Sequence, residues 1–199
     1  MSNPTSGATS SDAAPARRLP ARGRLPGDLT RQERLARMVR VDHAGEFGAK
    51  RIYQGQISVM GKGRHGNTLR HMAEQEQVHL RYFEEQLVER KVRPTLLQPF
   101  WHLAGFAVGA GTALLSERAA MACTVAVEEV IDKHYQDQLD ELGDAEPELA
   151  DSIRRFQAEE LEHRDIGLAH GAEQAVAYPV LSGAIRVGTR AVIWVAERI

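Results

Sequence analysis

Twice in this chain a Glu-x-x-His pair interrupts an otherwise apolar helical stripe. In "PELADSIRRFQAEELEHRDIGLA" the residues Leu149, Ile153, Phe156, Glu160, His163 and Gly167 follow one another by steps of four and three. Such steps place them on one face of a helix, the face that should be buried. In "TLRHMAEQEQVHLRYF" the residues Leu69, Met72, Glu76, His79 and Phe83 make the same stripe. The repeat reaches upstream of each pair. Glu46 precedes Tyr53 by seven residues and Glu128 precedes Tyr135 by seven, while Gln56 and Gln138 each lie ten past their glutamate. The chain therefore has two halves, each a Glu helix followed by a Glu-x-x-His helix.

Spacing sets the geometry. Glu46 and Glu76 are 30 residues apart with their midpoint at 61, where the glycine-rich "GKGRHGN" opens. Glu128 and Glu160 are 32 apart with their midpoint at 144, inside "GDAEP". An antiparallel hairpin brings residues equidistant from its turn to one height, here roughly 20 Å from each turn at about 1.5 Å rise per residue. Two such hairpins packed together collect Glu46, Glu76, His79, Glu128, Glu160 and His163 in one core. Carboxylates buried without compensation must protonate or bind cations. Two divalent ions balance four carboxylates, and oxygen donors with two imidazoles suit iron or manganese better than zinc. One Glu from each of two helices with Glu-x-x-His from each of two others is the di-iron signature of ferritin-like bundles.

The rest of the chain is read as helical. Apolar residues recur at three- and four-residue steps from Leu29 onward, and no convincing strand is found. Thr30 and Glu33 make a capping box. Breakers divide the chain into helices near 30–60, 67–90, 100–142, 147–176 and 180–198, the third kinked around 109–116. The fold class is thus all-α, a ferritin-like four-helix bundle over 28–199 with additional apolar helices. "GKGRHG" has the letters of a dinucleotide-binding turn but lies between helices, so it is read as a hairpin loop. The apolar run 100–115 is shorter than the about 20 residues of a membrane span.

Residues 1–27 are rich in Ser, Ala, Pro and Arg and are read as a disordered tail. They lack the apolar stretch of a secretory signal, and a mitochondrial presequence is the alternative. A net charge of −2 gives no case for nucleic acid as a partner. Cys123 is the single cysteine, which excludes an internal disulfide and any cysteine-based zinc site.

Three longer motifs, "RMVRVDHAGEFGAKRIYQGQ", "TALLSERAAMACTVAVEEVIDKHY" and "EELEHRDIGLAHGAE", resemble the demethoxyubiquinone hydroxylase family of ubiquinone biosynthesis. The likeness runs from about Leu35 to the C-terminus. It implies a di-iron monooxygenase that uses O2 to hydroxylate the ring of a demethoxy polyprenyl benzoquinol. The family's ligands correspond to the six residues the repeat selects. Glu76 and Glu160 are expected to bridge two irons, Glu46 and Glu128 to be terminal, and His79 and His163 to give one nitrogen each. His134 and Tyr135 resemble residues near the site implicated in reduction of the irons, with NADH as reductant directly or through the quinone.

The implied partners are a polyprenyl quinone, a membrane surface, other ubiquinone-biosynthesis proteins and a second copy of the chain. The implied location is the cytoplasmic face of a bacterial inner membrane, or else the matrix side of the mitochondrial one. Segments 100–115 and 180–198 are read as peripheral membrane helices forming the entrance for the tail, with Arg186 and Arg190 at the headgroups and Trp194 at the interface. Two rival functions share parts of the pattern. One is a ferritin-like iron-storage or peroxide-reducing protein; the other is a non-catalytic membrane-associated scaffold.

Glu74, Glu84, Glu129, Glu159 and Glu162 fall off the seam and are assigned to solvated faces. Tyr53 is assigned to plain core packing, Cys123 to a small buried side chain, and His71 and His170 to the surface or a supporting layer. His43 is an alternative partner of Glu46. Asp42 and Asp132, one turn from Glu46 and Glu128, are candidates for orienting imidazoles.

Overall fold

A computed structural model describes residues 27–199 of the protein. The tail expected over 1–27 thus lies outside the described residues but for Gly27. Six helices make the fold: α1 (Arg31–Met60), α2 (Gly66–Glu89), α3 (Gln98–Leu115), α4 (Glu117–Leu142), α5 (Pro147–Ala169) and α6 (Tyr178–Ala196), with one 3-10 turn at Ala172–Gln174. No strand occurs among the described residues. The capping box opens α1 as expected: the Thr30 hydroxyl accepts from the Glu33 N–H at 3.1 Å, and the Glu33 carboxylate accepts from the Thr30 N–H at 2.7 Å.

Two boundaries differ from the sequence expectation. The single kinked helix over 100–142 is two helices, because Ser116 is fully extended (φ −178°, ψ 163°) and its hydroxyl caps α4 by accepting from the Ala119 N–H at 3.0 Å. The helix expected to reach 176 stops at Ala169, where Gly171 turns into the left-handed region (φ +83°).

Helices α1 with α2 and α4 with α5 form the two antiparallel hairpins, and these pack as the four-helix bundle. Two apolar clusters fill its ends. Val39, Phe83, Leu149, Ile153 and Phe156 occupy one end. Leu69, Met72, Met121 and Val125 occupy the other. The layer between them holds the glutamates and histidines of the repeat, so that layer is sealed from water on both sides.

Each half also carries a third helix, which the sequence repeat did not disclose. Both α3 and α6 start with proline in the first turn, Pro99 and Pro179, where the missing N–H costs nothing. Helix α3 runs along α1 at backbone contact distance. A Cβ on Gly109 would stand 1.9 Å from the Ile52 carbonyl oxygen, and one on Gly55 would stand 2.3 Å from that of Phe106. Helix α6 runs along α4, tied by Arg186 Nε donating to Glu129 at 2.7 Å.

Gly109→Ala should therefore lower stability by about 1–3 kcal/mol through overpacking, although alanine is the better helix former by about 1 kcal/mol. Gly111→Ala is the control, since a Cβ there meets nothing within 4 Å; it should leave stability equal or higher. Urea unfolding of the two variants checks the opposite signs.

Candidate metal centre

The six residues singled out by the repeat meet in the sealed layer. Glu46 comes from α1, Glu76 and His79 from α2, Glu128 from α4, and Glu160 and His163 from α5; all are buried. They form two groups that could each hold a metal ion. Glu46, Glu76, His79 and Glu160 make one, Glu76, Glu128, Glu160 and His163 the other, with the ligand atoms of each group all within 4.8 Å of one another. Glu76 and Glu160 belong to both groups, the arrangement expected of bridging carboxylates.

The donor atoms point inward and lack partners of their own. Glu46 Oε2, both oxygens of Glu76, Glu128 Oε2, Glu160 Oε2, His79 Nδ1 and His163 Nδ1 are buried with no hydrogen bond. His79 Nδ1 lies 3.1 Å from Glu160 and 3.4 Å from Glu46; His163 Nδ1 lies 3.2 Å from Glu76 and 3.3 Å from Glu160. Buried lone pairs left unsatisfied are costly, and here they converge on one centre. This donor set, carboxylate oxygen with imidazole nitrogen, fits two divalent ions of the iron or manganese type.

A second layer holds the first, and it crosses between the halves. Tyr53 donates to Glu128 Oε1 at 2.9 Å, and Tyr135 donates to Glu46 Oε1. Tyr53 is therefore no plain core aromatic. His79 Nε2 meets Glu159 Oε2 at 2.6 Å, and His163 Nε2 meets Gln75 Oε1 at 3.0 Å. Glu159 thus turns to the site and away from the solvated face assigned to it, and Gln75 was missed altogether. The signal was present: each immediately precedes a ligand glutamate, which sets it one step round the helix toward the facing hairpin.

Asp42 and Asp132 do not orient the ligand imidazoles. Asp42 accepts from Gln138 at 2.5 Å and pairs with His134 Nε2 at 3.1 Å; Asp132 accepts from Gln157 at 2.8 Å. His134 touches no ligand and lines an outer cleft of about 250 Å³ with Arg34, Arg37 and Gln138. His43 stacks on Phe47 and joins neither group. His71 is exposed, and His170 packs edge-on against His65. Cys123 is buried as expected, and burial pushes its thiol up to about 12.

Burial and the neighbouring Glu160 carboxylate raise Glu76 and Glu128 well above the usual carboxylate range. Burial would lower His79, but its contacts with Glu160 and Glu46 push it up to about 12. His163 is raised against the same burial effect, by Glu160 and Glu128. Burial would raise Glu160, yet His163 and His79 hold it down at about 2.

Beside this layer lies an apolar cavity of about 460 Å³ between α3 and α6, floored by Gly45, Ile52, Val127 and Ile131 of α1 and α4. Gly45 and Val127 adjoin Glu46 and Glu128 in the chain, so the cavity runs alongside the metal layer.

Comparisons with known proteins give the chain's relatives. The family described as ubiquinone biosynthesis protein COQ7 matches residues 33–196. A protein of Rhodospirillum rubrum named 3-demethoxyubiquinol 3-hydroxylase is 59% identical, over 90% of this chain and 85% of its own. A human protein named NADPH-dependent 3-demethoxyubiquinone 3-hydroxylase, mitochondrial, is 48% identical over 97% of this chain and 92% of its own. The 5-demethoxyubiquinone hydroxylase of Saccharomyces cerevisiae mitochondria is 43% identical over 83% and 78%.

The charge balance sets the sign of a pH effect. His79, pushed up to about 12, and His163, Glu76 and Glu128, all raised, are groups at which a cation competes with protons. Metal affinity should rise with pH between 6 and 8, by about tenfold per unit for each proton released. Mn2+ titrations across that range, with proton release followed in weak buffer, measure it; a pH-independent affinity would contradict the assignment.

Proposed function

The chain belongs to the ubiquinone biosynthesis protein COQ7 family, and from that premise we propose that it is a 3-demethoxyubiquinol 3-hydroxylase working on a polyprenyl quinol with O2. One oxygen atom enters the ring carbon, the other leaves as water, and two electrons and two protons are consumed. The observation that carries the reading is the convergence of unpartnered donors from six buried residues on one centre.

Two bound irons would supply the electron transfer that reduces O2. The chain's own residues do the rest. Glu76 and Glu160 would bridge, and Glu46 with His79 and Glu128 with His163 would complete the two ligand sets. Tyr135 and Tyr53 occupy the outer oxygens of Glu46 and Glu128 and so aim the inner oxygens at the centre. Burial and the adjacent carboxylates push both phenols well above their usual range, so each stays a proton donor. The apolar clusters at the bundle ends exclude water from the layer.

For Tyr135 and His134 the resemblance implies a part in reduction, and their placement supports it. Tyr135 touches Glu46, and His134 stands between Asp42 and the outer cleft. As reductant we take a nicotinamide, NADPH by the human relative's name in place of NADH, acting directly or through the quinone.

The apolar cavity would take the substrate, its ring beside α1 and α4 and its tail between α3 and α6. No helix among the described residues is long and apolar enough to cross a membrane. Attachment is therefore proposed to be peripheral, on the cytoplasmic face in a bacterium or the matrix side in mitochondria. Leu103 and Leu114 of α3 and Val187 and Trp194 of α6 are exposed there. Arg190 is exposed and available to headgroups, whereas Arg186 is engaged by Glu129. Other ubiquinone-biosynthesis proteins or a second copy would use the same surface. An iron-storage or peroxide-reducing role needs no such cavity, and a scaffold needs no such donor set.

Glu160 serves both ligand groups, so Glu160→Ala should abolish iron binding and turnover. The metal-free bundle should stay folded, because removing a buried charge relieves repulsion. Iron analysis, quinol hydroxylation and a thermal melt test this together; retained iron and turnover would end the di-iron reading.

Substrate entry has its own test. A Cβ on Gly188, in the cavity wall, meets nothing within 4 Å, so Gly188→Phe should fill the cavity and keep both irons. Its kcat/KM should fall by about tenfold or more on a long-tailed quinol relative to a short-tailed analogue. Trp194→Asp should release the protein from anionic vesicles. Equal losses on both substrates would refute tail entry between α3 and α6.

A further inference from the structure

Among the side chains that hold the outer nitrogens of the ligand imidazoles, the two halves of the bundle differ in charge at one pair of positions. Glu159 and Gln75 each precede a bridging glutamate and each reach across to the imidazole of the facing helix. On one side the partner of the histidine is a carboxylate, on the other a neutral amide. The contacts differ accordingly: 2.6 Å from His79 Nε2 to Glu159 Oε2, and 3.0 Å from His163 Nε2 to Gln75 Oε1. Both imidazoles present Nδ1 to the ligand groups, so both Nε2 atoms carry the outward proton.

A bond from N–H to an ionised acceptor is shorter and about twice as strong as one to a neutral acceptor. It draws the proton outward and makes the opposite ring nitrogen a stronger donor to a metal. Glu159 also adds negative charge beside one ligand group alone. Each group otherwise has the two shared carboxylates, one terminal glutamate, one imidazole and one tyrosine hydrogen bond; buried Asp42, beside Glu46 where the other half has Thr124, sets a further acidic group on the same side as Glu159 and so does not offset it.

Resting on the di-metal reading above, we propose that the centre is electronically unsymmetrical by construction. Glu159 is a positioning residue that makes the Glu46–His79 position the tighter one, filled first, and Gln75 leaves the Glu128–His163 position the weaker one, filled last. Loading in that order leaves the second ion as the exchangeable member of the pair. It also separates the two ions in electron affinity before substrate arrives.

Repulsion between two cations gives stepwise binding even in a symmetrical centre, so the wild-type protein alone does not decide the matter. The test is a Co2+ titration of the metal-free protein, with competition by a fluorescent chelator for the two affinities. Paramagnetically shifted imidazole N–H resonances identify which histidine is occupied after one equivalent. His79 should be the one seen. Glu159→Gln should weaken the first step about 10- to 100-fold and spread the first equivalent over both histidines. Gln75→Glu should strengthen the second step, and the double exchange should put the first equivalent on His163. Glu159 is part-exposed, with a side chain 29% accessible, so unchanged melts should accompany these shifts.

If Co2+ binds twice but neither variant moves its step by more than twofold, the asymmetry is refuted and the metal centre stands. The same holds if Glu159→Gln weakens both steps equally. If the wild-type layer takes up no Co2+, the di-metal reading falls and this inference with it.

Discussion

Everything in this molecule is arranged around the cost of burying four carboxylates and two imidazoles in one layer. In a low-dielectric interior those groups cannot all be charged and unpartnered. Their proton affinities register that cost: burial and the neighbouring carboxylates raise Glu76 and Glu128, and the carboxylates raise His79 and His163 against burial. Cations answer it, because they satisfy the inward lone pairs that are left without hydrogen bonds. The apolar clusters at both ends make the layer dry, which strengthens whatever electrostatic interaction replaces water. A wetter bundle would tolerate the same residues and hold metal less tightly.

Pseudo-symmetry makes this layer economical to build. Each tyrosine, Tyr53 and Tyr135, crosses to the glutamate of the other half, and Glu159 and Gln75 each cross to its histidine. Neither hairpin therefore completes its own site; the second layer forms only when both are packed. Departures from the symmetry are local. The Gln138–Asp42 bond is mirrored by Gln56, which reaches the Ala120 carbonyl at 3.0 Å and approaches Thr124. At the place where one half has His134 facing the outer cleft, the other has Ile52 facing the apolar cavity. One side of the bundle is thereby suited to water-borne reactants and the other to a lipophilic one.

The third helix of each half sets an apolar cavity beside the buried layer of carboxylates and imidazoles. Helix α3 can lie on α1 only because glycines at 55 and 109 remove the Cβ atoms that would meet backbone. That contact, with α6 along α4, leaves the cavity between them. It also leaves leucine, valine and tryptophan side chains of α3 and α6 outward.

The sequence by itself determined the helices, the two hairpins and all six inward donors. Period and spacing along a helix are one-dimensional quantities, and a buried face is written in them. It also determined the capping box at Thr30 and the turn at 61–65. It did not determine the break at Ser116, where an apolar run continues through a serine whose extended backbone depends on α3 and α4 running in opposite directions. Nor did it determine the roles of Tyr53, Gln75 and Glu159. Those side chains lie beside the seam, and what they touch depends on which helix stands opposite and at what height. Periodicity says which face of a helix is inward; only the packed bundle says which atom of another helix that face will meet.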